Sequence, residues 1–76
     1  MGSDLLASLG NAIRQVREDR QFSQEQISFQ SGLDRSYISS VENGKRNVSI
    51  ENLQRISGAL GVSLTELIQL TEDRLQ

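Results

Sequence analysis

The sequence has no cysteine and no histidine, and these two absences narrow the possible functions. A chain without cysteine forms neither a disulfide framework nor a thiolate zinc site. Without histidine it also lacks the usual general base and the commonest metal ligand. Serine is plentiful, but a serine nucleophile needs a neighbouring base, and Lys45 is the single lysine. We therefore expect no enzyme, no metal and no cofactor.

Proline is absent too, and apolar runs are at most three residues long. A membrane-spanning helix needs about 20 predominantly apolar residues, so no membrane span is expected. The first ten residues, MGSDLLASLG, lack the basic segment and the long apolar stretch of a signal peptide. These features predict a cytoplasmic protein. The length of 76 residues and the hydrophobic fraction of 36% fit one small globular domain over residues 1–76.

The charged residues are unevenly distributed along the chain. Ten acids and eight bases give a net charge of −2, which argues weakly against nucleic acid as a partner. Residues 1–62 hold seven acids and seven bases, whereas residues 63–76 hold three acids and one base. The C-terminal segment therefore supplies all the negative charge, and the remainder of the chain is electrically neutral.

Four capping patterns predict four helix starts. In each pattern, one apolar residue directly precedes the cap residue and another follows it four positions later, which is the spacing of a hydrophobic staple. The four caps are Ser23, Asp34, Ser49 and Ser63. Gln26 and Glu66 follow two of these caps at the spacing of a capping box. We expect the Asp34 carboxylate to accept backbone N–H bonds in the same way.

Apolar periodicity supplies the rest of the architecture. The first helix should end near residues 20–21, and its apolar stripe consists of Leu6, Leu9, Ile13 and Val16. The fourth helix should stop at Gly61, and its apolar stripe consists of Ile50, Leu53, Ile56 and Leu60. No segment alternates with a period of two, which would indicate a strand. The sequence predicts an all-α fold of five short helices, with a compact helix-turn-helix domain as its centre.

The junction between the second and third helices is tight. Gly32 can take the left-handed conformation that ends a helix, and only Leu33 separates it from Asp34. Ser28 is small where two steeply crossing helices approach each other. A short helix, a glycine turn and a second helix describe a helix-turn-helix over about residues 23–43. A plain αα-corner in a helical bundle is the simpler alternative.

The outer face of the third helix decides between them. At 100° per residue, Ile38 and Val41 face the interior, and Arg35 and Tyr37 lie on the two flanks of the opposite side. The opposite side itself carries short polar residues: Ser36, Ser39, Ser40 and Asn43. Such a face can enter the major groove, where serine reaches base edges and arginine grips guanine. Gln24 in the first turn of the second helix, and Lys45, Arg46 and Asn47 beyond the third, are placed to hold phosphates.

Three stretches resemble the helix-turn-helix domain of the Cro and phage-repressor type, the Xre family: FSQEQISFQSGL, DRSYISSVENGKRN and SIENLQRISGALGVSLTEL, all within residues 22–67. The motif LDRSYIS…NGKRNVSI is similar to the controller proteins of restriction–modification systems. The resemblance implies a bacterial or phage transcription regulator, a repressor or activator, acting at the nucleoid. Its implied partners are a double-stranded palindromic operator, a second copy of the chain and RNA polymerase.

The resemblance also assigns roles to residues. It directs Arg35, Ser36, Ser39 and Ser40 toward bases, and it directs Ser23, Gln24, Tyr37, Asn43, Lys45, Arg46 and Asn47 toward the DNA backbone. It implies a structural ion pair between Arg17 and Glu42, and the helical position of Glu42 near the buried side independently requires a partner. Helix five has more apolar residues than one buried side needs, so a dimer interface is expected within about residues 60–76, from Leu64, Leu67, Ile68, Leu70 and Leu75.

Two positions depart from the family pattern. Phe29 stands on an outward position of the second helix, and we expect it to pack at the margin of the core; a partner contact and stacking beside DNA are the alternatives. Ser28 replaces the commoner alanine, a change that is harmless if its hydroxyl bonds back to the helix.

Two other functions compete with DNA binding. One is an antitoxin-like or assembly module that uses the same fold for protein–protein contacts, which the acidic net charge favours. The other is a hydrolase built on a serine and Lys45, which the absence of histidine and the short length disfavour. For the dimer, the alternative is a monomer whose last turn folds back over the first helix.

Overall fold

A computed structural model describes residues 2–75, with side chains from Asp4 onward, and over that range the chain forms helices and no strand. The helices are α1 (Gly2–Asp19), α2 (Gln24–Ser31), α3 (Arg35–Glu42), α4 (Ile50–Leu60) and α5 (Leu64–Asp73). The prediction of an all-α fold with five helices is confirmed. No helix in the described part of the chain is long and apolar enough to cross a membrane.

Local signals set most helix ends. The hydroxyls of Ser23 and Ser63 accept the backbone N–H three residues on, and Gln26 and Glu66 complete both capping boxes. Ser49 accepts the N–H of Asn52 in the same way. Asp34 corrects the prediction for α3: it occupies the cap position, but its side chain makes no cap hydrogen bond. Because Asp34 is exposed, solvent can satisfy its carboxylate instead of the backbone.

The turn between α2 and α3 is held by hydroxyl groups. Gly32 adopts the predicted left-handed conformation, with φ of 74°. The hydroxyl of Ser31 accepts the Leu33 N–H at 3.2 Å, and the hydroxyl of Ser28 donates to the carbonyl of Leu33. The Ser28 hydroxyl thus bonds to the turn and not back to its own helix.

The core lies between all five helices. α1 packs against α3 and α5, α2 packs against α3 and α4, and α4 packs against α5. The largest fully buried apolar side chains at its centre are Ile13, Ile27, Ile38, Ile56, Leu60 and Leu67. Two apolar side chains lie outside it, contrary to expectation: Ile50 is 63% exposed in the first turn of α4, and Phe29 is 84% exposed on α2. Both side chains are therefore largely open to solvent.

Gly10 sets how closely α1 approaches the end of α3. A Cβ atom at this position would lie 2.5 Å from the carbonyl oxygens of Val41 and Glu42. Any side chain larger than hydrogen would therefore force the two helices apart. Gly10 thus brings the polar end of α3 within reach of arginines on α1.

Candidate nucleic-acid interface

The outer face of α3 forms one wall of a shallow hollow. Gln24 from α2 and Arg35, Ser36 and Ser39 from α3 line this hollow, whose volume is about 260 Å³. Arg35 and Ser36 are exposed, whereas Ser39 and Ser40 are half-buried. The helix-turn-helix therefore brings four of the predicted DNA-contacting residues to one place, with no acidic side chain among the lining residues.

Glu42 at the end of α3 is a buried carboxylate that three side chains hold. Arg17 donates from Nε to Oε2 at 2.6 Å and from Nη2 to Oε1 at 3.0 Å, which is the predicted ion pair in a bidentate arrangement. Gln24 donates from Nε2 to Oε1 at 3.0 Å, and Arg14 approaches the same oxygen at 3.4 Å. The carboxylate side chain is fully buried, so Glu42 ties α1, α2 and α3 together at one point.

These contacts decide the charge state of Glu42. Burial acts to raise the pKa of the carboxyl group, but the hydrogen bonds from Arg17, Gln24 and Arg14 and the Arg17 charge outweigh it. The pKa of Glu42 therefore lies below its ordinary value of 4.5. In return, the hydrogen bond to Glu42 raises the pKa of Arg17. Both side chains are therefore charged at neutral pH. The positive charge of Arg17 offsets the negative charge of Glu42 within the protein itself.

The loop after α3 is fixed by its backbone. Gly44 is left-handed, with φ of 72°, its N–H donates to the Val41 carbonyl at 3.0 Å, and the Lys45 N–H donates to the Ser40 carbonyl at 2.9 Å. This pair of bonds is a Schellman motif, which satisfies the last carbonyls of the helix. The side chains of Lys45, Arg46 and Asn47 are exposed just beyond it. The backbone from which these side chains extend is therefore fixed relative to α3.

Tyr37 and Arg46 form a pair beside this loop. The Arg46 guanidinium lies 5.1 Å from the centre of the Tyr37 ring, at the distance of a cation–π contact. The Tyr37 oxygen accepts a hydrogen bond from Asn52 Nδ2 at 3.1 Å, which leaves its own proton to donate elsewhere. α3 and α4 thus both hold Tyr37 in a fixed position.

The remaining predicted DNA contacts have structural roles as well. The Ser23 hydroxyl accepts its cap bond at 3.0 Å, and the Gln24 amide binds Glu42, so each is already oriented in the free protein. Asn43 is exposed and ends α3 as its C-cap.

Three contributors to this region have no local sequence signal: Arg14, Asn52 and Gly10. Their contacts join helices that are far apart in the chain, so helical periodicity does not mark them. For Arg14, the sequence indicates only that a basic residue lies one turn before Arg17 on the same face of α1.

The predicted dimer region divides into buried and exposed residues. Leu67 is completely buried and belongs to the core, which corrects its assignment to a surface, and Leu64 is half-buried against the same core. Ile68, Leu70 and Leu75 are 37%, 40% and 45% exposed. The last turn lies over α1, since Arg74 donates to Gln15 at 3.5 Å and Leu75 borders a hollow with Ala7 and Ser8. That arrangement resembles the monomeric alternative, yet it leaves apolar surface uncovered.

Comparisons with known proteins agree with this geometry. A family model described as helix-turn-helix matches residues 13–67. The control protein C.MunI from Mycoplasma sp is 47% identical over 66 residues, which cover 86% of this chain and 89% of the relative. The control protein C.BamHI from Bacillus amyloliquefaciens is 40% identical over 72 residues, which cover 93% and 89% of the two chains.

A solved structure is similar as well. The crystal structure of the restriction-modification controller protein C.AhdI from Aeromonas hydrophila superposes with a TM-score of 0.80 and 44% sequence identity, covering 82% of this chain and 94% of that one. Residues 13–67, which the family model matches, contain α2, the turn and α3. The chain therefore belongs to the helix-turn-helix family of transcriptional regulators.

Proposed function

We propose that this regulator binds a palindromic DNA operator as a homodimer and places α3 of each protomer in the major groove. The observation that carries the proposal is the hollow shared by Gln24, Arg35, Ser36 and Ser39, in which donors and acceptors converge without an acidic side chain. A helix with short polar side chains fits into the major groove, where each base pair presents its own pattern of donors and acceptors. The similarity to restriction–modification control proteins supports an operator of this kind.

Base reading is assigned to four residues of α3: Arg35, Ser36, Ser39 and Ser40. Arg35 is exposed in the first turn of the helix, the end that reaches furthest into the groove in this class of domain. Its guanidinium can donate two hydrogen bonds to O6 and N7 of guanine. The serines, with shorter side chains, can donate or accept at neighbouring base edges.

Backbone contacts are assigned to the residues that flank the hollow: Ser23, Gln24, Tyr37, Asn43, Lys45, Arg46 and Asn47. Tyr37 retains a free hydroxyl proton, and Arg46 lies stacked on its ring, so both are positioned to donate to phosphate oxygens. Lys45 and Arg46 start from the Schellman motif at the end of α3. Contacts of this type fix the register of α3 along the duplex, whereas the base contacts provide sequence preference.

Lys45→Ala and Arg46→Ala are each expected to weaken binding to every DNA sequence by a similar factor. Each removes one cation from the phosphate backbone, so the slope of log affinity against log salt should fall by about 0.9 per protomer. Fluorescence anisotropy titrations at several salt concentrations measure the slope, and Arg55→Ala, at an exposed position on α4, is the charge-matched control. An unchanged slope for both loop variants would remove the loop from the interface.

Retention on heparin at low salt separates DNA binding from the protein–protein alternative. A DNA-binding protein carries a concentrated cationic surface that heparin, a polyanion, retains despite the net charge of −2. A module that uses the same fold only for protein contacts passes through the column. Elution with the unbound fraction would therefore favour the antitoxin-like alternative.

The size of the protomer supports a dimer. Two half-sites read from one face of the duplex lie about 34 Å apart. One protomer spans about 31 Å along its longest axis and carries a single α3, so reading both half-sites takes two copies. The apolar surface for self-association is provided by Ile68, Leu70 and Leu75 on and after α5. A small core also gains stability from covering such residues.

Leu70→Lys is expected to convert the dimer into a monomer. A charged ammonium in an apolar interface must be desolvated without a partner, whereas in the monomer Leu70 is 40% exposed and its replacement is tolerated. Sedimentation equilibrium at micromolar concentration should give twice the 8.5 kDa chain mass for the unmodified protein and one chain mass for the variant. Phe29→Lys, at the most exposed of the large apolar side chains, should remain dimeric. A monomeric mass for the unmodified protein would contradict the dimer.

We propose that the protein acts in the cytoplasm, at the bacterial nucleoid. There we propose RNA polymerase as a further partner, contacted when the regulator is bound beside a promoter. A second hollow of about 650 Å³, lined by Phe22, Ile27, Phe29 and Ala59 among others, offers a surface for a protein contact. It shares no lining residue with the hollow at α3, so DNA and a protein can occupy the two at once.

A further inference from the structure

Arg14 lies on α1, outside the helix-turn-helix, yet its guanidinium reaches the end of α3. Its Nε atom is 3.4 Å from Oε1 of Glu42, and its Nη2 atom donates to Oδ1 of Asn43 at 3.0 Å. The side chain of Arg14 is 39% exposed, so it lies at the rim of the domain rather than in the core. One arginine therefore joins a buried carboxylate to an exposed amide that we assign to the DNA backbone.

The chemistry of this contact fixes which way the Asn43 amide points. A guanidinium has donors only, so the group of Asn43 that faces it must be the carbonyl oxygen. The NH₂ group then points away from Arg14. Phosphate oxygens only accept hydrogen bonds, so this NH₂ group is the end of the amide that can bind a phosphate, and the Arg14 contact turns it outward.

The backbone around Asn43 is fixed, but it leaves the rotation of the side-chain amide open. The backbone N–H of Asn43 donates to the Ser39 carbonyl at 3.0 Å, and the Schellman motif at Gly44 holds the next peptide. The terminal torsion of an asparagine is broad and nearly two-fold, so without a neighbour both amide orientations are populated. Arg14 removes that choice before DNA arrives.

We propose that Arg14 is a positioning residue that pre-orients the Asn43 amide for a phosphate, through a contact that Glu42 holds in place. The inference rests on the proposed function, because it takes Asn43 as a backbone contact. Preorganisation raises affinity by removing an ordering cost that binding would otherwise incur. The rival role for Arg14 is a direct phosphate contact through its own charge.

A double-mutant cycle separates the two roles. Arg14→Met keeps the aliphatic stem and removes the donors, while Asn43→Ala removes the amide. Asn43→Ala should weaken binding to a selected operator by roughly tenfold per protomer and Arg14→Met by part of that factor, while the double variant should lose no more than Asn43→Ala, because Arg14 acts only through the amide. The salt slope should equal that of the unmodified protein, since Asn43 carries no charge.

Two results would overturn the positioning role. A salt slope lowered by about 0.9 per protomer in Arg14→Met shows a direct phosphate contact. Losses of affinity that multiply in the double variant show that the two residues act independently.

Arg14→Lys sharpens the comparison, because lysine restores the charge but not the two hydrogen bonds of the guanidinium bridge. Positioning predicts no rescue of affinity by lysine, whereas a phosphate contact predicts substantial rescue.

NMR of the free protein tests the orientation without DNA. In the unmodified protein the order parameter of the Asn43 side-chain amide should be close to that of the backbone, and in Arg14→Met it should fall well below. An equal order parameter in both proteins contradicts the proposal even if DNA binding is never measured. Unfolding curves for all variants confirm that each is folded under the binding conditions. Absence of operator binding by the unmodified protein would instead reject the proposed function.

Discussion

Replacing Glu42 by glutamine is expected to lower the free energy of unfolding by about 3–5 kcal/mol, the usual cost of breaking a buried ion pair. The substitution keeps the shape of the side chain but leaves Arg17, whose side chain is only 13% exposed, without a charged partner. It also replaces one of the two carboxylate oxygens by an NH₂ group, so the donors of Arg17, Gln24 and Arg14 must share a single acceptor oxygen. A loss of this size is a large fraction of the total stability of a small domain.

Urea denaturation at pH 7 and fixed protein concentration measures the loss. Fixed concentration matters because dimerisation adds to the apparent stability. Glu72→Gln is the matched control, since it makes the same chemical change at an exposed position on α5 and should stay within about 0.5 kcal/mol of the unmodified protein. A similar midpoint for both variants would show that the Glu42 contacts add little to stability.

The same carboxylate predicts how stability depends on pH. Because the pKa of Glu42 is lower in the folded protein than its ordinary value of 4.5, the unfolded chain binds a proton more readily. The stabilisation is therefore complete above about pH 4.5 and is lost as the pH falls through the folded pKa. Glu42→Gln should lose this part of the pH dependence and keep that of the other acids.

Arg35→Ala is expected to cost about 1–3 kcal/mol at one base position in each half-site and to relax the preference there. The physical reason is the loss of two hydrogen bonds to a single base, while the other α3 contacts remain. Binding to operators that differ at each position measures the change, with Arg55→Ala as the control for a lost surface charge. Weakening that is uniform across all sequences would make Arg35 a phosphate contact and not a reader of bases.

Signals confined to one helix end predict most of the architecture. Ser23, Ser63 and Gly32 adopt the expected conformations because capping and left-handed turns depend on neighbours within a few residues. The Arg17–Glu42 pair was predictable for a different reason. An acid on the buried side of a helix requires a partner, and the family resemblance identified it.

Contacts between distant segments explain what the sequence could not predict. Helical periodicity places Leu67 and Ile68 on the same stripe, but only the packed helices decide that Leu67 is buried and Ile68 partly exposed. Phe29 is exposed because the neighbouring helices leave its outer side open. Arg14 reaches Asn43 across 29 positions of the chain, and Gly10 makes that approach possible. The spacing of apolar residues along the chain predicts none of these burial differences and contacts.

Selection of bound fragments from random double-stranded DNA tests the central claim most directly, because the protein itself chooses the operator from all possible sequences. The account predicts that the unmodified protein enriches a palindrome whose half-site centres lie about 34 Å apart, about ten base pairs. Arg35→Ala should enrich the same palindrome with one position per half-site no longer defined. Recovery of unenriched random sequence by the unmodified protein, under conditions where it is folded and dimeric, would contradict sequence-specific binding by α3.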